Sequence, residues 1–275
     1  MNAGANEPLR LVQLSDCHVP SDPAASYRGL DAGGALERLS GAVRSYSPDL
    51  VLLTGDVSED AGDASYRRVA RSLARIGSPV YALPGNHDDP AAMQRHFPRG
   101  PWRGPSFYPL GDWLLVLLDS TGPGRIDGTL PGETLAALDN GLAESAARHI
   151  LVALHHQPMP VGSPWIDKYA LETEQAERLL ALLERATLLI SPDSGPMHLA
   201  TAVGTPVIGL HAASNPRRSG PYLSQQWCVD RYDQAARKFL GRPAEALHHL
   251  DQVDAQHGRT SRGAAVRVEA LVKLG

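Results

Sequence analysis

The hydrophobic pattern of the first third of the chain alternates between short apolar runs and longer segments with helical spacing. The apolar runs Leu9–Leu14, Leu50–Leu53 and Val80–Leu83 have the length of buried strands. Between them, Ala35–Tyr46 and Ala64–Ile76 place leucine, valine and isoleucine on one helical face. This β-α-β-α-β order predicts parallel strands covered by helices, which is an α/β fold.

Strand and helix patterns continue to alternate as far as Ile190. Pro20–Gly34 has the composition of a loop, and proline and glycine interrupt the chain from Phe97 to Pro105. The further predicted elements are a hairpin over Phe107–Leu118 with Gly111 and Asp112 near its turn, the helices Glu133–Ala147 and Thr173–Ala186, and the strands Ile150–Leu154 and Thr187–Ile190. The last of these strands could complete the first sheet.

Beyond Ile190 the pattern changes. Ser191–Gly195 is typical of a turn, and Met197–Val203 predicts a short apolar helix preceded by proline. Val207–Leu210 predicts a strand and Asp233–Leu240 a helix. The remainder, Ala244–Gly275, is polar with only a weak helical pattern.

Composition narrows the class of protein. The formal net charge is -4 and no basic run exceeds two residues, as in Arg217-Arg218, so we expect no nucleic-acid partner. The two cysteines, Cys17 and Cys228, are far apart, which argues against a disulfide framework. The first ten residues lack the apolar core of a signal peptide, and no run approaches the ~20 apolar residues of a membrane span. We therefore expect a cytoplasmic protein.

Metal-binding residue types follow four of the predicted strands. In open α/β sheets, polar groups at the carboxyl ends of strands are where chemistry is placed. A mixture of carboxylate, amide and imidazole ligands suits Mn, Fe or Zn better than a closed thiolate site does. The candidates, in chain order, are Asp16, His18, Asp56, Asn86, His87 and His155.

Each candidate has an expected role in a centre of two divalent ions. Asp16 and His18 alternate around Cys17, so in an extended chain both side chains point the same way and can hold one ion. Asp56 could bridge two ions, and Asn86 and His155 would bind the second. His87 would then be free to protonate a leaving oxygen. His156 is the weaker candidate of its pair, because only one of two successive strand residues faces a site; Cys17 is expected to pack in the interior.

The set D-x-H, G-D, G-N-H-D and H-H-x-P resembles the calcineurin-like metallophosphoesterases. The stretch Leu154–Ser163, with Trp165 and Asp167 following, is similar to the bacterial class III cyclic-nucleotide phosphodiesterases. The resemblance covers about residues 9–184. It implies an αββα sandwich, a dinuclear metal centre, and hydrolysis of a small-molecule phosphodiester such as 3′,5′-cyclic AMP.

One motif of that family is missing. The family ends its site with a G-H-x-H turn, roughly 40 residues after the position of His155, and this sequence has Ser191–His198 there instead. From about residue 187 to 247 the chain resembles the donor half of lipopolysaccharide heptosyltransferases. That resemblance implies ADP-heptose binding by a turn that opens a helix, where free backbone N–H groups favour an anion. The turn contains Asp193, Ser194, Gly195 and His198.

The chain is therefore expected to join two incomplete parts. Residues 1–186 form a truncated metallophosphoesterase-like sandwich, 187–247 a partial Rossmann-like β-α segment, and 248–275 a polar tail. The hydrolase reading predicts a phosphodiesterase weakened by the missing turn. The alternatives are a heptosyltransferase remnant and a non-functional fusion. Asp193 either replaces a missing metal ligand or caps the following helix.

Overall fold

The computed structural model describes residues 9–97, 102–158, 167–183, 189–192, 204, 206–211, 221, 223–230 and 270–274. Predicted features that lie outside these residues include the helices at 197–203 and 233–240 and the four residues Asp193, Ser194, Gly195 and His198.

The described elements follow the alternation of strands and helices read from the sequence. The helices are α1 (Ala32–Tyr46), α2 (Asp63–Ala74), α3 (Pro90–His96), α4 (Gly132–Glu144) and α5 (Thr173–Leu183), with a short 3-10 helix at Gln225–Trp227. The strands are β1 (Leu9–Leu14), β2 (Leu50–Thr54), β3 (Val80–Leu83), β4 (Trp102–Arg103), β5 (Ser106–Leu110), β6 (Trp113–Leu117), β7 (His149–Ala153), β8 (Leu189–Pro192), β9 (Val207–His211), β10 (Val229–Asp230) and β11 (Ala270–Leu274).

The first sheet has the order β11-β1-β2-β3-β4. Strands β1 to β3 run parallel, as predicted. The short strand β4, which was not foreseen, pairs in parallel with β3, and β11 pairs antiparallel to β1. All residues of β2 and β3 are buried. Continuous apolar strands of this kind are typical of a parallel sheet covered on both faces.

The second sheet has the order β5-β6-β7. Strands β5 and β6 form the predicted hairpin, which turns at Gly111 with a φ of 63°. The two sheets pack face to face through a shared apolar cluster containing Leu50, Leu83, Leu117 and Leu151. Separate clusters join the outer face of the first sheet to α1, α2 and α3, and that of the second sheet to α4 and α5. The layers are therefore α-β-β-α, as expected.

The structure corrects the sequence analysis in two places. Strand β8 does not extend the first sheet; it pairs in parallel with β9, which pairs with β10, in a separate three-stranded sheet. The polar tail, in turn, contains β11, which occupies the edge of β1 from Leu9 to Gln13. An unpaired edge strand presents a row of free N–H and C=O groups, and such a row accepts a strand of weak local pattern.

Helix α3 was not foreseen, and α1, α2 and α4 differ from their predicted bounds by one to three residues. Helix α1 begins at Ala32, inside the predicted loop, because the Asp31 carboxylate accepts the backbone N–H of Gly34 at 2.8 Å. Helix α3 begins at Pro90 and is capped by Asp89. No helix within the described ranges has both the length and the apolar character needed to cross a membrane.

Candidate metal centre

The loops that follow β1 and β2 are paired side by side. The backbone N–H groups of Asp16, His18 and Val19 donate to the carbonyls of Gly55, Asp56 and Val57, at 3.1, 2.9 and 3.1 Å. The parallel pairing of the two strands thus continues past their carboxyl ends. As a result, the side chains of Asp16 and His18 lie next to that of Asp56.

The backbone at these three residues is left-handed rather than extended. Asp16, His18 and Asp56 have φ values of 53°, 43° and 48°. We predicted that Asp16 and His18 meet because they alternate along an extended chain, and this reason is wrong. The two side chains do meet, with His18 Nε2 4.0 Å from Asp16 Oδ1. Non-glycine residues rarely adopt this conformation, and such strained positions are concentrated at functional sites.

The Asp56 carboxylate lies between two imidazoles. Its Oδ2 is 3.6 Å from Nε2 of His18, and its Oδ1 is 3.4 Å from Nε2 of His155. Asp56 Oδ1 also accepts the backbone N–H of His87 at 3.0 Å. Two overlapping donor sets, each within 4.8 Å, contain Asp56: one adds His18 and His87, the other Asp16 and His155.

Both imidazoles are oriented by a partner on Nδ1. His155 Nδ1 lies 2.9 Å from the backbone carbonyl of Thr54, and His18 Nδ1 lies 2.9 Å from Oε2 of Glu59. Both partners are acceptors, so Nδ1 carries the proton and Nε2 is left with a lone pair directed at Asp56. A lone pair and a carboxylate facing each other at this distance need a cation or a further proton between them. The residues therefore fit a metal ion.

Two glycines allow this close approach. A Cβ at Gly55, whose φ is 90°, would overlap the ring of His155. A Cβ at Gly85 would overlap Asp56 and lie 2.8 Å from Nε2 of His155. The glycines of the G-D and G-N-H-D motifs are thus needed because the chain passes directly behind the candidate ligands.

Asp88, the last residue of G-N-H-D, holds the turn after β3 to the loop after β2. Its carboxylate accepts the backbone N–H groups of Gly85, Val57 and Ser58 at 3.0, 3.0 and 2.9 Å, and the hydroxyl of Tyr66 at 3.1 Å. Burial raises the pKa of Asp88, and the three backbone hydrogen bonds oppose that rise. Asp88 is therefore part of the framework of the centre.

The turn after β3 brings Asn86 and His87 to the same end of the sheet. Asn86 is half-buried. The His87 side chain is 38% exposed, and its ring lies nearly perpendicular to that of His18 with centroids 4.8 Å apart. His87 Nδ1 faces the Glu59 carbonyl at 3.3 Å and Oε2 of Glu59 at 3.6 Å. The other ring nitrogen is left for a substrate or an ion.

The two residues that the sequence analysis set aside point away from this centre. His156 is buried, and its Nδ1 lies 2.9 Å from Oγ of Ser120, which is also buried. Burial and the neighbouring His155 lower the pKa of His156 to about 4. Cys17 packs in the apolar cluster beneath α1 and α2.

Three residues near the centre were missed by the sequence analysis. Asp88 is the last residue of the G-N-H-D motif, so the motif itself could have identified it as part of the site. Glu59 and Tyr27 carry no such signal, because they reach His18 only through the folding of two separate loops.

The chain belongs to the calcineurin-like phosphoesterase family, whose model matches residues 9–188. A second model, for glycosyltransferase family 9 (heptosyltransferase), matches residues 174–246. Both resemblances recognised in the sequence are thereby confirmed. The two matches overlap over residues 174–188, which include most of α5.

Curated relatives carry cyclic-nucleotide names. A probable cyclic nucleotide phosphodiesterase of Synechococcus is 37% identical over 170 residues, which cover 62% of this chain and 66% of the relative. The 3′,5′-cyclic adenosine monophosphate phosphodiesterase CpdA of Pseudomonas aeruginosa is 38% identical over 168 residues, covering 60% and 61%. The chain thus spans less than two thirds of the length of these relatives.

A solved structure shares the fold. The crystal structure of a dimetal phosphatase from Danio rerio aligns with a TM-score of 0.52 at 13% identity, covering 68% of this chain and 82% of that one. At this identity the likeness supports the αββα architecture.

Proposed function

We propose that this protein is a metal-dependent phosphodiesterase that hydrolyses a 3′,5′-cyclic nucleotide. The observation that carries the proposal is the position of Asp56, whose two oxygens each face an imidazole nitrogen. A single carboxylate between two such sets of donors is suited to bridge a pair of cations. The names of the curated relatives support the substrate class.

In this proposal the residues divide between two ions. Asp16 and His18 would hold one ion and Asn86 and His155 the other, with Asp56 common to both sets; Asp16 also lies within reach of the His155 set. Two divalent ions at such a centre neutralise charge on the phosphoryl group and lower the pKa of the attacking water. Carboxylate, amide and imidazole donors are compatible with Mn, Fe or Zn.

His87 is the proposed general acid. Its side chain is the most exposed of the three imidazoles, and its Nδ1 is directed towards Glu59. The opposite nitrogen is therefore available to hold a proton for the leaving oxygen of the substrate. His87 also fits within a donor set with His18 and Asp56, so the competing role is a third ligand on that side.

Hydrolysis of cyclic AMP and of a chromogenic phosphodiester, with and without Mn²⁺, tests the proposal. We expect Mn²⁺-dependent activity, and a loss of roughly 10²–10⁴-fold in kcat for His87→Ala with unchanged metal content. A drop in metal content would instead make His87 a ligand. Equal Mn²⁺-dependent rates for the parent and His87→Ala would remove His87 as the acid, and a parent without Mn²⁺-dependent hydrolysis would remove the hydrolase proposal.

The second candidate function is a heptosyltransferase remnant that binds a nucleotide sugar. The match of residues 174–246 to the glycosyltransferase model favours it, as does the separate parallel sheet of β8, β9 and β10. The proposed contacts would come from Asp193, Ser194, Gly195 and His198. ADP-heptose binding by the full chain, measured by calorimetry, would support this function, and its absence would exclude it.

We further propose that the chain divides into the parts 1–186, 187–247 and 248–275, the last of which joins the first sheet through β11. In the sequence, Asp193 is the first carboxylate after β8, at the position where the family has its closing G-H-x-H turn. Metal analysis of Asp193→Ala tests whether it serves as a ligand. A content equal to that of the parent would assign Asp193 to helix capping instead.

A further inference from the structure

Tyr27 covers one face of the His18 imidazole. The two rings are stacked in parallel, with centroids 4.0 Å apart and planes 9° apart. Tyr27 is half-buried in the loop after β1, and the His18 side chain beneath it is only 6% exposed. Burial raises the pKa of Tyr27; nearby Arg28 opposes this rise, and the carboxylates of the centre add to it.

The Tyr27 ring is presented by a tight turn. Tyr27 and Leu30 exchange both backbone hydrogen bonds at 2.9 Å, and the two residues between them, Arg28 and Gly29, have φ values of 48° and 81°. Two successive positive φ values are the signature of a type I′ turn, which is rigid and specific in geometry. The Arg28 guanidinium carbon lies 5.1 Å from the centroid of the Tyr27 ring.

Glu59 and Tyr27 restrict His18 in different ways. The χ2 angle of a histidine has a broad energy profile, so an imidazole is not held by its own torsions. The hydrogen bond to Glu59 decides which nitrogen faces Asp56, whereas a stacked ring fixes the plane of the imidazole. Both restrictions are needed to keep the Nε2 lone pair directed at Asp56.

We propose that Tyr27 is a positioning residue of the metal centre, which holds the His18 imidazole in the plane required to bind a divalent cation. The inference rests on the proposed function only in taking His18 as a ligand. The sequence lacks the family's closing G-H-x-H turn. With fewer ligands available, the orientation of each remaining one has a larger share in the affinity. Loss of a residue that orients a ligand typically weakens metal binding by 10–100-fold.

Calorimetric titration of the chelator-treated full chain with Mn²⁺ tests this proposal. The variants are Tyr27→Phe, which keeps the ring, and Tyr27→Leu, which keeps bulk without a flat face. Tyr46→Leu at the exposed end of α1 is the matched control. We expect Tyr27→Leu to bind one ion roughly 10–100-fold more weakly, with Tyr27→Phe and Tyr46→Leu equal to the parent. Thermal unfolding of the metal-free proteins separates this effect from a loss of folding.

Three results would overturn the inference. In the first, Tyr27→Leu binds Mn²⁺ as the parent does. In the second, Tyr27→Phe loses as much affinity as Tyr27→Leu, because the hydroxyl and not the stacked ring would then be responsible. In the third, the parent binds no Mn²⁺. A parent that binds Mn²⁺ but hydrolyses no phosphodiester would remove the proposed function and leave the Tyr27 inference standing or falling on the affinities alone.

Discussion

The two imidazoles beside Asp56 are supported in different ways. On the His18 side, a carboxylate, Glu59, accepts from Nδ1 and the Tyr27 ring covers one face. On the His155 side, the partner of Nδ1 is a neutral backbone carbonyl, that of Thr54. A carboxylate partner raises the basicity of a ligating imidazole more than a carbonyl does. We therefore expect the ion on the His18 side to be the more tightly held.

The difference has a structural origin. The His18 side is built from the loops after β1 and β2 of the first sheet. These loops supply Tyr27 and Glu59, which both contact His18. His155 follows β7 of the second sheet and approaches Asp56 across the interface between the sheets. The comparison shows that a shared carboxylate does not make its two sides equivalent.

Removal of the Asp56 charge should have the largest effect, because it acts on both sides at once. Asp56→Asn keeps the shape of the side chain, and we expect it to lose both ions and all hydrolysis above background. Metal analysis after dialysis measures this, with exposed Asp139→Asn on α4 as the control. Retention of either ion would show that the carboxylate does not bridge.

Removal of each imidazole in turn should separate the two sides. We expect His155→Ala to retain one ion through dialysis, because the better supported His18 side is intact in this variant. We expect His18→Ala to retain less metal, because only the His155 side remains. His149→Ala, at the opposite end of β7 from the segment that carries His155, should match the parent. The reverse order of retention would contradict the proposed asymmetry.

A smaller effect is expected from neutralising Glu59. In Glu59→Gln the amide oxygen can still accept from His18, but the charge that strengthens the imidazole as a ligand is lost. Binding of one ion should weaken by roughly 10–100-fold while the other is unaffected. Titration calorimetry resolves the two events, and Glu37→Gln on α1 is the control. Equal weakening of both ions would refute the side-specific role.

The smallest effect concerns the residue behind the His155 side. The pKa of His156 is about 4 in the folded protein against 6.5 ordinarily, so the unfolded chain takes up a proton first as the pH falls. Protonation of His156 in the unfolded chain has little effect on the free energy of unfolding above pH 6.5 and lowers it by about 2 kcal/mol at pH 5. Urea unfolding of the metal-free protein near pH 7 and pH 5 should show a steeper loss of stability than in His156→Gln. Equal losses would mean that His156 is charged in the folded state.

Most of the first 183 residues could be predicted from local pattern. Strand β1 has the predicted bounds, and β2 and β7 differ from theirs by one residue, because run length and flanking turns are local properties. The preference for His155 over His156 rested on alternation along a strand, but both residues follow β7 rather than lie in it. The pairings of β8 and β11 were not predictable in this way, because the sequence of a strand of four or five residues does not specify which strand it will pair with.

The amino-acid sequence by itself determined which residue types stand at the ends of β1, β2, β3 and β7, and hence the class of chemistry. Only the tertiary structure decided that Glu59 and Tyr27 hold His18, that left-handed turns rather than an extended chain direct Asp16 and His18, and that Asp56 lies between two imidazoles. The physical reason is distance along the chain. Strand and turn preferences act over a few residues. These contacts instead join loops that are 41 positions apart for His18 and Glu59 and 99 positions apart for Asp56 and His155, and their meeting depends on how the strands and sheets pair.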